Sequence, residues 1–210
     1  KFCRIPDYEV CANCLPNNKQ GFATLFAARD LNKWRSNWGA LLESSDEIIT
    51  FSYDSSNILL KSYPSIEASR ISIKPHKINN FSPSFVTIKN TADLCIGVVG
   101  MIGFHKGALV VKSLANEIRK RNTNTKIIII GTIEASCDSR IVEQTGPYKH
   151  EDLPRTIERT GINVMLFPSI CPETFSYVVH ELVNLQMPVA SFNFGAPAER
   201  LSSYSKGLIL

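Results

Sequence analysis

Residues 94–131 decide the fold, and they read LCIGVVGMIGFHKGALVVKSLANEIRKRNTNTKIIIIG. Apolar and β-branched residues fill 94–99, and four isoleucines precede Gly131. Such runs are typical of parallel strands that are buried on both faces. Between them, apolar residues recur at helical spacing over 106–121. A strand, a helix and a second strand in this order predict a parallel βαβ unit, with 100–105 as the loop that enters the helix.

The same alternation continues to the C-terminus. The predicted strands cover 140–143, 163–167, 188–192 and 207–210, and the predicted helices cover 151–160 and 174–186. We expect a loop over 193–199. Short connections between alternating strands and helices predict an α/β fold, in which helices flank both faces of a Rossmann-like parallel sheet.

Residues 1–90 have a less regular pattern and are predicted to form a separate domain, followed by a second domain over 91–210. The pattern of the first domain predicts an irregular loop over 1–20, a helix over 22–43, a strand over 47–51, a helix over 52–63 and a strand over 70–74. Asparagine and proline interrupt residues 77–93, which we interpret as a linker.

The composition is that of an ordinary globular protein. The 210 residues are 44% hydrophobic and 20% charged, with a net charge of +4. These values argue against disorder and against nucleic-acid binding. The apolar runs are shorter than the roughly 20 residues of a membrane-spanning helix, and no secretory leader opens the sequence. Because the first residue is Lys1 and not Met, we expect the sequence to be part of a longer protein.

Three of the six cysteines, Cys3, Cys11 and Cys14, are clustered near the start of the chain. Three thiolates are one ligand short of a structural zinc site, so zinc needs a fourth ligand from elsewhere. A disulfide and a structural loop without metal are the alternatives, and the spacing leaves all three open. The remaining cysteines are predicted to be reduced core thiols: Cys95, Cys137 and Cys171.

Ligands of parallel α/β sheets bind beyond the carboxyl ends of the strands, which directs attention to the loops there. The first such loop, Gly100 to Gly107, places Lys106 at the start of a helix. Glycines let the backbone approach a ligand, and helix N–H groups attract anions, so the loop suits a phosphate or a diphosphate. Its spacing matches neither the dinucleotide-binding motif nor the P-loop, and a tight turn with a solvated lysine explains it equally well.

The second such loop, 168–176, contains Glu173 and leads into a predicted helix. Glu181 follows eight residues later, which is about 12 Å along a helix axis and near the same side. One carboxylate could hold a sugar and the other a ribose, with the N–H groups of Phe175 and Ser176 facing phosphate or sugar oxygens. The helix dipole and an ordinary solvated surface also explain both acids.

Residues 94–210 resemble the donor-binding domain of retaining glycosyltransferases of family 4, which have the two-domain GT-B architecture. The shared motifs are Lys106-Gly107, Gly146-Pro147-Tyr148, Pro168 to Ser176, Glu181-Leu182, Pro188 to Ser191 and Phe194 to Glu199. Seven residues separate the two acids of the third and fourth motifs, as in the family's signature. Residues 1–93 resemble the last third of the acceptor-side domain of similar bacterial enzymes, some of which carry a comparable cysteine-rich stretch.

The resemblance implies a role for each matching residue. Lys106 contacts the donor diphosphate and Glu173 contacts hydroxyls of the transferred sugar, and these two are the implied catalytic residues. Glu181 binds the ribose. The other implied donor contacts are Gly100, Met101, Thr174, Phe175 and Ser176, with Gly146, Pro147 and Tyr148 near the base.

The sequence departs from the family pattern in two places and leaves one role unfilled. Met101 stands where the family usually has arginine, which removes one cationic contact to the diphosphate. Ser176 stands where the family usually has glycine, which we interpret as a small change. No histidine fits the family's catalytic histidine. His105, His150 and His180 are interpreted as ordinary loop or helix-face residues, and Pro75-His76 as the approach to the linker.

The resemblance implies transfer of a sugar, with retained configuration, from a UDP- or GDP-sugar to a glycan or a lipid-linked acceptor, in the synthesis of a cell-surface polysaccharide. It implies a bacterial enzyme of the cytoplasm that needs no metal or other cofactor and binds no nucleic acid. Peripheral attachment to the inner face of the membrane stays open. Two alternatives are a sugar-nucleotide epimerase, whose acid and base residues the sequence does not locate, and an inactive nucleotide-binding module, which Met101 suggests.

Overall fold

A computed structural model describes residues 7–17, 30–78, 86–88 and 93–210. The chain divides into two compact units, Lys1–Pro75 and His76–Leu210, and each is described by itself. No helix within the described ranges is long and apolar enough to cross a membrane. Most of the predicted linker over 77–93 lies outside these ranges.

In the described part of the first unit, helices accompany a small parallel sheet. The helices are α1 (Tyr8–Asn17), α2 (Leu31–Glu43) and α3 (Tyr53–Ser62), and the strands are β1 (Ile48–Thr50) and β2 (Ile71–Ile73). β1 and β2 pair with Ile48 opposite Ile71. The strands predicted over 47–51 and 70–74 and the helix predicted over 52–63 are therefore confirmed.

Side-chain caps fix where two of these helices begin. The carboxylate of Asp30 accepts hydrogen bonds from the backbone N–H groups of Asn32 and Lys33, and α2 starts at the next residue. The hydroxyl of Ser52 caps α3 in the same way. Caps of this kind satisfy N–H groups that have no partner inside the helix. The helix predicted over 22–43 is confirmed from residue 31 onward, and 22–29 lie outside the described residues.

The irregular loop predicted over 1–20 is wrong for residues 8–17, which form α1. Asp7 starts this helix, because its carboxylate accepts a hydrogen bond from the N–H of Val10 at 3.0 Å. Cys11 and Cys14 lie on α1 as free thiols, so no disulfide joins them. Cys3 lies outside the described residues, so the choice between a zinc site, a disulfide to Cys3 and a loop without metal stays open.

The second unit contains a six-stranded parallel sheet. Its strands are β3 (Cys95–Ile102), β4 (Lys126–Ile133), β5 (Val142–Gln144), β6 (Val164–Phe167), β7 (Val189–Ser191) and β8 (Gly207–Ile209). Their order in the sheet is β5-β4-β3-β6-β7-β8. The connecting helices are α4 (Ala108–Arg121), α5 (Leu153–Thr160), α6 (Tyr177–Asn184) and α7 (Gly195–Ser202). This arrangement confirms the predicted Rossmann-like α/β fold.

Helices cover both faces of this sheet because neighbouring residues of a strand point to opposite sides. Ile129 of β4 belongs to one buried cluster together with Val111 of α4. Ile130, the next residue, belongs to a second cluster with Leu153 of α5 and Leu182 of α6. The continuous run of isoleucines is therefore buried on both sides, as its composition predicted.

Several boundaries differ from the sequence prediction. The loop predicted over 100–105 is wrong at its start, because residues 100–102 extend β3 by pairing with 131–133 of β4. The strand predicted over 140–143 lies two residues later, as β5. The loop predicted over 193–199 is wrong from Gly195 onward, where α7 begins. Pro197 lies in the first turn of α7, where a missing N–H breaks no helical hydrogen bond.

Candidate functional site

Lys106 and Glu173 meet beyond the carboxyl ends of the neighbouring strands β3 and β6. The Lys106 Nζ atom lies 3.7 Å from Oε1 of Glu173, which is an ion pair but too long for a hydrogen bond. This carboxylate oxygen is buried and has no hydrogen-bond partner among the described residues. A buried oxygen in that state is costly. The structure therefore places a cation beside an acceptor that lacks a donor.

The loops that carry these two residues are held against each other. Gly107 has φ of 86°, and a β-carbon at this position would collide with the carbonyl oxygen of Pro168. The N–H of Ile170 donates to the carbonyl oxygen of His105 at 3.0 Å. Because the backbones approach so closely, Lys106 at the start of α4 lies beside the loop that follows β6.

A second contact holds the backbone of Glu173 from the side of α7. The N–H of Ala196 donates to the carbonyl oxygen of Glu173 at 2.9 Å. Gly195 has φ of 73°, and a β-carbon there would lie 2.9 Å from the Glu173 nitrogen. The start of α7, which the sequence prediction missed, thus holds the backbone of the candidate catalytic residue.

Ser176 adopts a backbone conformation that favours glycine, with φ of 65° and ψ of 95°. Positive φ is uncommon for residues other than glycine. The Ser176 hydroxyl accepts a hydrogen bond from the N–H of Val179 at 3.4 Å and so caps α6. The interpretation of serine as a small change is wrong at this position, because serine adds both strain and a cap.

The helix predicted over 174–186 is also wrong at its start, since α6 begins at Tyr177. Glu173 therefore lies in the loop before the helix, and the 12 Å spacing expected along a helix axis does not apply. Glu181 lies within α6 and is buried. Glu173 thus lies in a loop and Glu181 in a helix, so the two acids have different local environments.

Glu181 pairs with a histidine that we interpreted as an ordinary residue. The Nδ1 atom of His150 lies 3.2 Å from Oε1 of Glu181. Burial raises the pKa of Glu181, and the neighbouring His150 opposes that rise. The signal in the sequence was the position of His150, two residues after the Gly146-Pro147-Tyr148 motif.

The Gly146-Pro147-Tyr148 loop lies near Glu181 and beside a cavity. Burial, and then the Glu181 carboxylate, raise the pKa of Tyr148. The N–H of Gly146 donates to the carbonyl oxygen of Gly131 at 3.1 Å, which ties the loop to β4. The cavity has a volume of about 440 Å³ and is lined by Thr145, Pro147, Tyr148, Asp152, Arg155, Thr156 and Arg159. It lies at the expected base end of the site and does not include Lys106 or Glu173.

The remaining candidate residues surround the first loop and the entrance to α6. Met101 is 76% exposed at the end of β3, opposite Thr132, and brings no positive charge to the site. Gly100 packs against Gly131, where a β-carbon would collide with the Gly100 carbonyl oxygen. Thr174 is exposed, whereas Phe175 is 3% exposed and faces the protein interior.

The fold is similar to those of several solved glycosyltransferases. Sucrose-phosphate synthase from Thermosynechococcus elongatus matches with a TM-score of 0.66 and 17% identity, over 90% of this chain and 50% of that chain. Anabaena HepE, solved with UDP and glucose, matches with a TM-score of 0.59 and 16% identity, over 84% of this chain and 53% of that chain. The lipopolysaccharide outer core galactosyltransferase WaaB matches with a TM-score of 0.58 and 16% identity, over 75% of this chain and 46% of that chain. The sequence matches no protein-family model and no curated protein.

These likenesses define the class of the fold, which is the parallel α/β architecture of GT-B glycosyltransferases. Identities of 16–17% establish a common fold and nothing finer. The chain spans about half the length of these structures. The activity, the substrates and the acceptor therefore belong to the proposal that follows.

Proposed function

We propose that the chain is the donor-binding part of a retaining glycosyltransferase that uses a nucleotide-diphosphate sugar. The observation that supports this most directly is the pair of Lys106 and Glu173, 3.7 Å apart beyond two adjacent strands. A diphosphate needs a cation, and sugar hydroxyls need an acceptor. When the donor binds, its diphosphate takes the place of Glu173 beside the ammonium. The carboxylate then accepts hydrogen bonds from the sugar.

The same groups suit the charge changes of the reaction. Cleavage of the bond between the anomeric carbon and the diphosphate builds negative charge on the nucleotide and positive charge on the sugar. Lys106 stabilises the departing diphosphate, together with the first N–H groups of α6. Because these groups supply positive charge, we expect transfer without a metal ion. Glu173 holds the sugar in place.

The nucleoside end of the donor fits the second group of residues. Glu181 can accept hydrogen bonds from the vicinal hydroxyls of a ribose. The loop Gly146 to Tyr148, with the adjacent cavity, offers space for the base. UDP-sugars are the first donors to test, since HepE was solved with UDP-glucose, and GDP-sugars are the second.

The wider role rests on the resemblance of residues 94–210 to the donor domains of family 4. It comprises a glycan or lipid-linked acceptor, cell-surface polysaccharide synthesis, and a place in the bacterial cytoplasm at or near the membrane. Transfer also needs an acceptor-side domain, of which residues 1–90 would be the last part. We therefore expect this chain to bind donor even where it does not turn it over.

An inactive nucleotide-binding module is the second candidate, and Met101 favours it. The exposed methionine lies where the resemblance implies an arginine on the diphosphate. The two candidates differ in turnover. A transferase joined to its complete acceptor domain releases sugar from the donor, to an acceptor or slowly to water, whereas a binding module leaves the donor intact.

Calorimetric titration with UDP-glucose and GDP-mannose tests the proposed pocket. We expect one donor to bind, and Lys106→Ala and Glu181→Ala to weaken binding at least tenfold. Lys120→Ala on α4 and Glu151→Ala before α5 are matched controls on exposed residues. Binding that both site variants leave unchanged, or no binding to the unaltered chain, contradicts the proposal.

A further inference from the structure

Phe175 is the centre of a group of ring and guanidinium contacts beside the candidate donor loop. The Arg200 guanidinium carbon lies 4.6 Å from the centroid of the Phe175 ring. The Tyr177 ring meets Phe175 edge to face at 5.3 Å and 70°. His76 meets Phe175 at 5.1 Å and 86° and stacks on Tyr177 at 5.4 Å and 24°. All of these groups belong to the second unit.

Arg200 and Tyr177, two of the groups that contact Phe175, belong to α7 and α6, the helices next to the candidate donor loop. Arg200 lies in α7, and its Nη1 atom donates to Nδ1 of His180 at 2.7 Å. Since arginine only donates, this contact makes Nδ1 the acceptor and leaves the His180 proton on Nε2. Burial, and then the Arg200 charge, lower the pKa of His180, which agrees with a neutral ring. This side of Phe175 is therefore a fixed support.

His76 is different because it comes from far away in the sequence. It is the first residue of the second unit, about one hundred positions before Phe175. It is half-buried and contacts the two rings that bracket Ser176. No motif in the sequence indicates this contact, and we interpreted the residue only as the approach to a linker.

The segment between the two rings needs support. Ser176 has φ of 65°, a conformation that costs free energy for a residue with a β-carbon. Such conformations persist when neighbouring contacts hold the backbone on both sides. Phe175 precedes the strained residue and Tyr177 follows it, so a ring that packs on both restrains the turn. The N–H groups of this turn are those that would face the donor.

We propose that His76 is a positioning residue for the donor: its ring packs on Phe175 and Tyr177 and so holds the turn at Ser176 in the shape that receives the sugar and the diphosphate. This inference rests on the proposed function of the site. It adds a residue that the resemblance to family 4 did not name. The ring acts through its packing, so another flat ring should replace it.

Binding of UDP-glucose and of uridine to the whole chain separates positioning from general damage. Uridine would reach Glu181 and the Gly146 to Tyr148 loop, but not the turn at Ser176. We expect His76→Ala to weaken UDP-glucose binding about tenfold, which corresponds to about 1.4 kcal/mol and is the size of one aromatic pair. Uridine binding, followed by NMR, should change less than twofold. His76→Phe should stay within threefold of the unaltered chain for both ligands.

Two further variants complete the design. Lys77→Ala removes an exposed side chain from the same segment and should bind UDP-glucose normally. Tyr177→Leu removes the stacking partner from the other side, at a residue that is 52% exposed and so tolerates change. It should show the same selective loss as His76→Ala, and it serves as the test if His76→Ala does not fold.

The results distinguish this inference from the function on which it depends. If Lys106→Ala and Glu181→Ala weaken binding but His76→Ala and Tyr177→Leu do not, His76 is not a positioning residue while the donor site stands. Equal losses for UDP-glucose and uridine, or failure of His76→Phe to restore binding, also overturn the inference. If the unaltered chain binds neither UDP-glucose nor uridine, the proposed use of UDP-sugars and this inference both fail.

Discussion

Replacing Lys106 by methionine probes the candidate site most directly, because it removes the ammonium and keeps the apolar stem. Glu173 then loses its counter-ion while its Oε1 stays buried. At an effective dielectric constant of about 20, charges 3.7 Å apart attract by about 4.5 kcal/mol. This is an upper limit, since the Lys106 side chain is 39% exposed and exposed pairs contribute less. We expect the free energy of unfolding to fall by about 1–2 kcal/mol.

The same substitution should weaken donor binding by more than it weakens folding. A hydrogen bond to a charged group contributes about 1.5–3 kcal/mol, which is roughly 10- to 150-fold in Kd. Calorimetry with UDP-glucose measures this loss, and urea denaturation measures stability. Lys120→Met on α4 is the matched control and should change neither quantity.

A double-mutant cycle with Glu173→Gln separates the pair from its surroundings. Because glutamine carries no charge, Lys106→Met should cost less stability in the Glu173→Gln background than in the natural one. The difference is the coupling free energy, expected at about 1–2 kcal/mol. A coupling near zero, or a UDP-glucose Kd that Lys106→Met leaves within twofold, would refute the assignment of these residues to one donor site.

Three further substitutions test other parts of the site. Burial raises the pKa of Glu181 above its ordinary value of 4.5, so the folded protein holds this proton more tightly than the unfolded chain does. The free energy of unfolding should therefore fall as the pH rises from 4.5 through the raised pKa. Glu181→Gln should abolish this fall in urea denaturation at pH 4–8 and should weaken UDP-glucose binding. Met101→Arg should restore a cationic diphosphate contact and tighten UDP-glucose binding by about 1 kcal/mol, or roughly fivefold, in calorimetry; unchanged affinity would place residue 101 away from the diphosphate. Gly107→Ala should lower the free energy of unfolding by about 2–3 kcal/mol, because its β-carbon collides with the Pro168 carbonyl. Gly146→Ala, whose β-carbon meets nothing within 4 Å despite φ of 76°, is the control and should cost less in the same urea measurement.

The sheet could be predicted because its central strands consist almost entirely of apolar residues, which indicates burial on both faces. The isoleucines of 127–130 have no polar face, and only a strand covered on both sides explains them. The start of α6 could not be predicted, since it follows the positive φ of Ser176, a conformation that serine rarely adopts. α7 was missed because Gly195 and Pro197 resemble loop residues until the helix start is known to pack on Glu173.

The sequence indicated the candidate site residues one by one, and the structure shows which of them lie in contact. Lys106 and Glu173 follow strands that are neighbours in the sheet, so topology alone brings their loops together. The contact of His76 with Phe175 depends on the path of the chain, and no local pattern indicates it. For the pair of His150 and Glu181, the only local signal was the position of His150 just after the Gly146 to Tyr148 motif. The local sequence pattern thus indicates which side chains could bind a ligand, whereas tertiary packing decides which of them lie in contact.

The two acids of the motif are held in ways that cost free energy, and a structural role and a ligand-binding role predict different effects of replacing them. Glu173 keeps a buried oxygen without a donor among the described residues, and burial raises the pKa of Glu181. Each arrangement costs free energy in the unliganded protein. If the acids served the fold, neutral isosteres would destabilise it. If they await the hydroxyls of a sugar and a ribose, Glu173→Gln and Glu181→Gln should leave the fold as stable or more stable while donor binding falls. Opposite signs for stability and binding are therefore the signature that separates a ligand site from a structural ion-pair network.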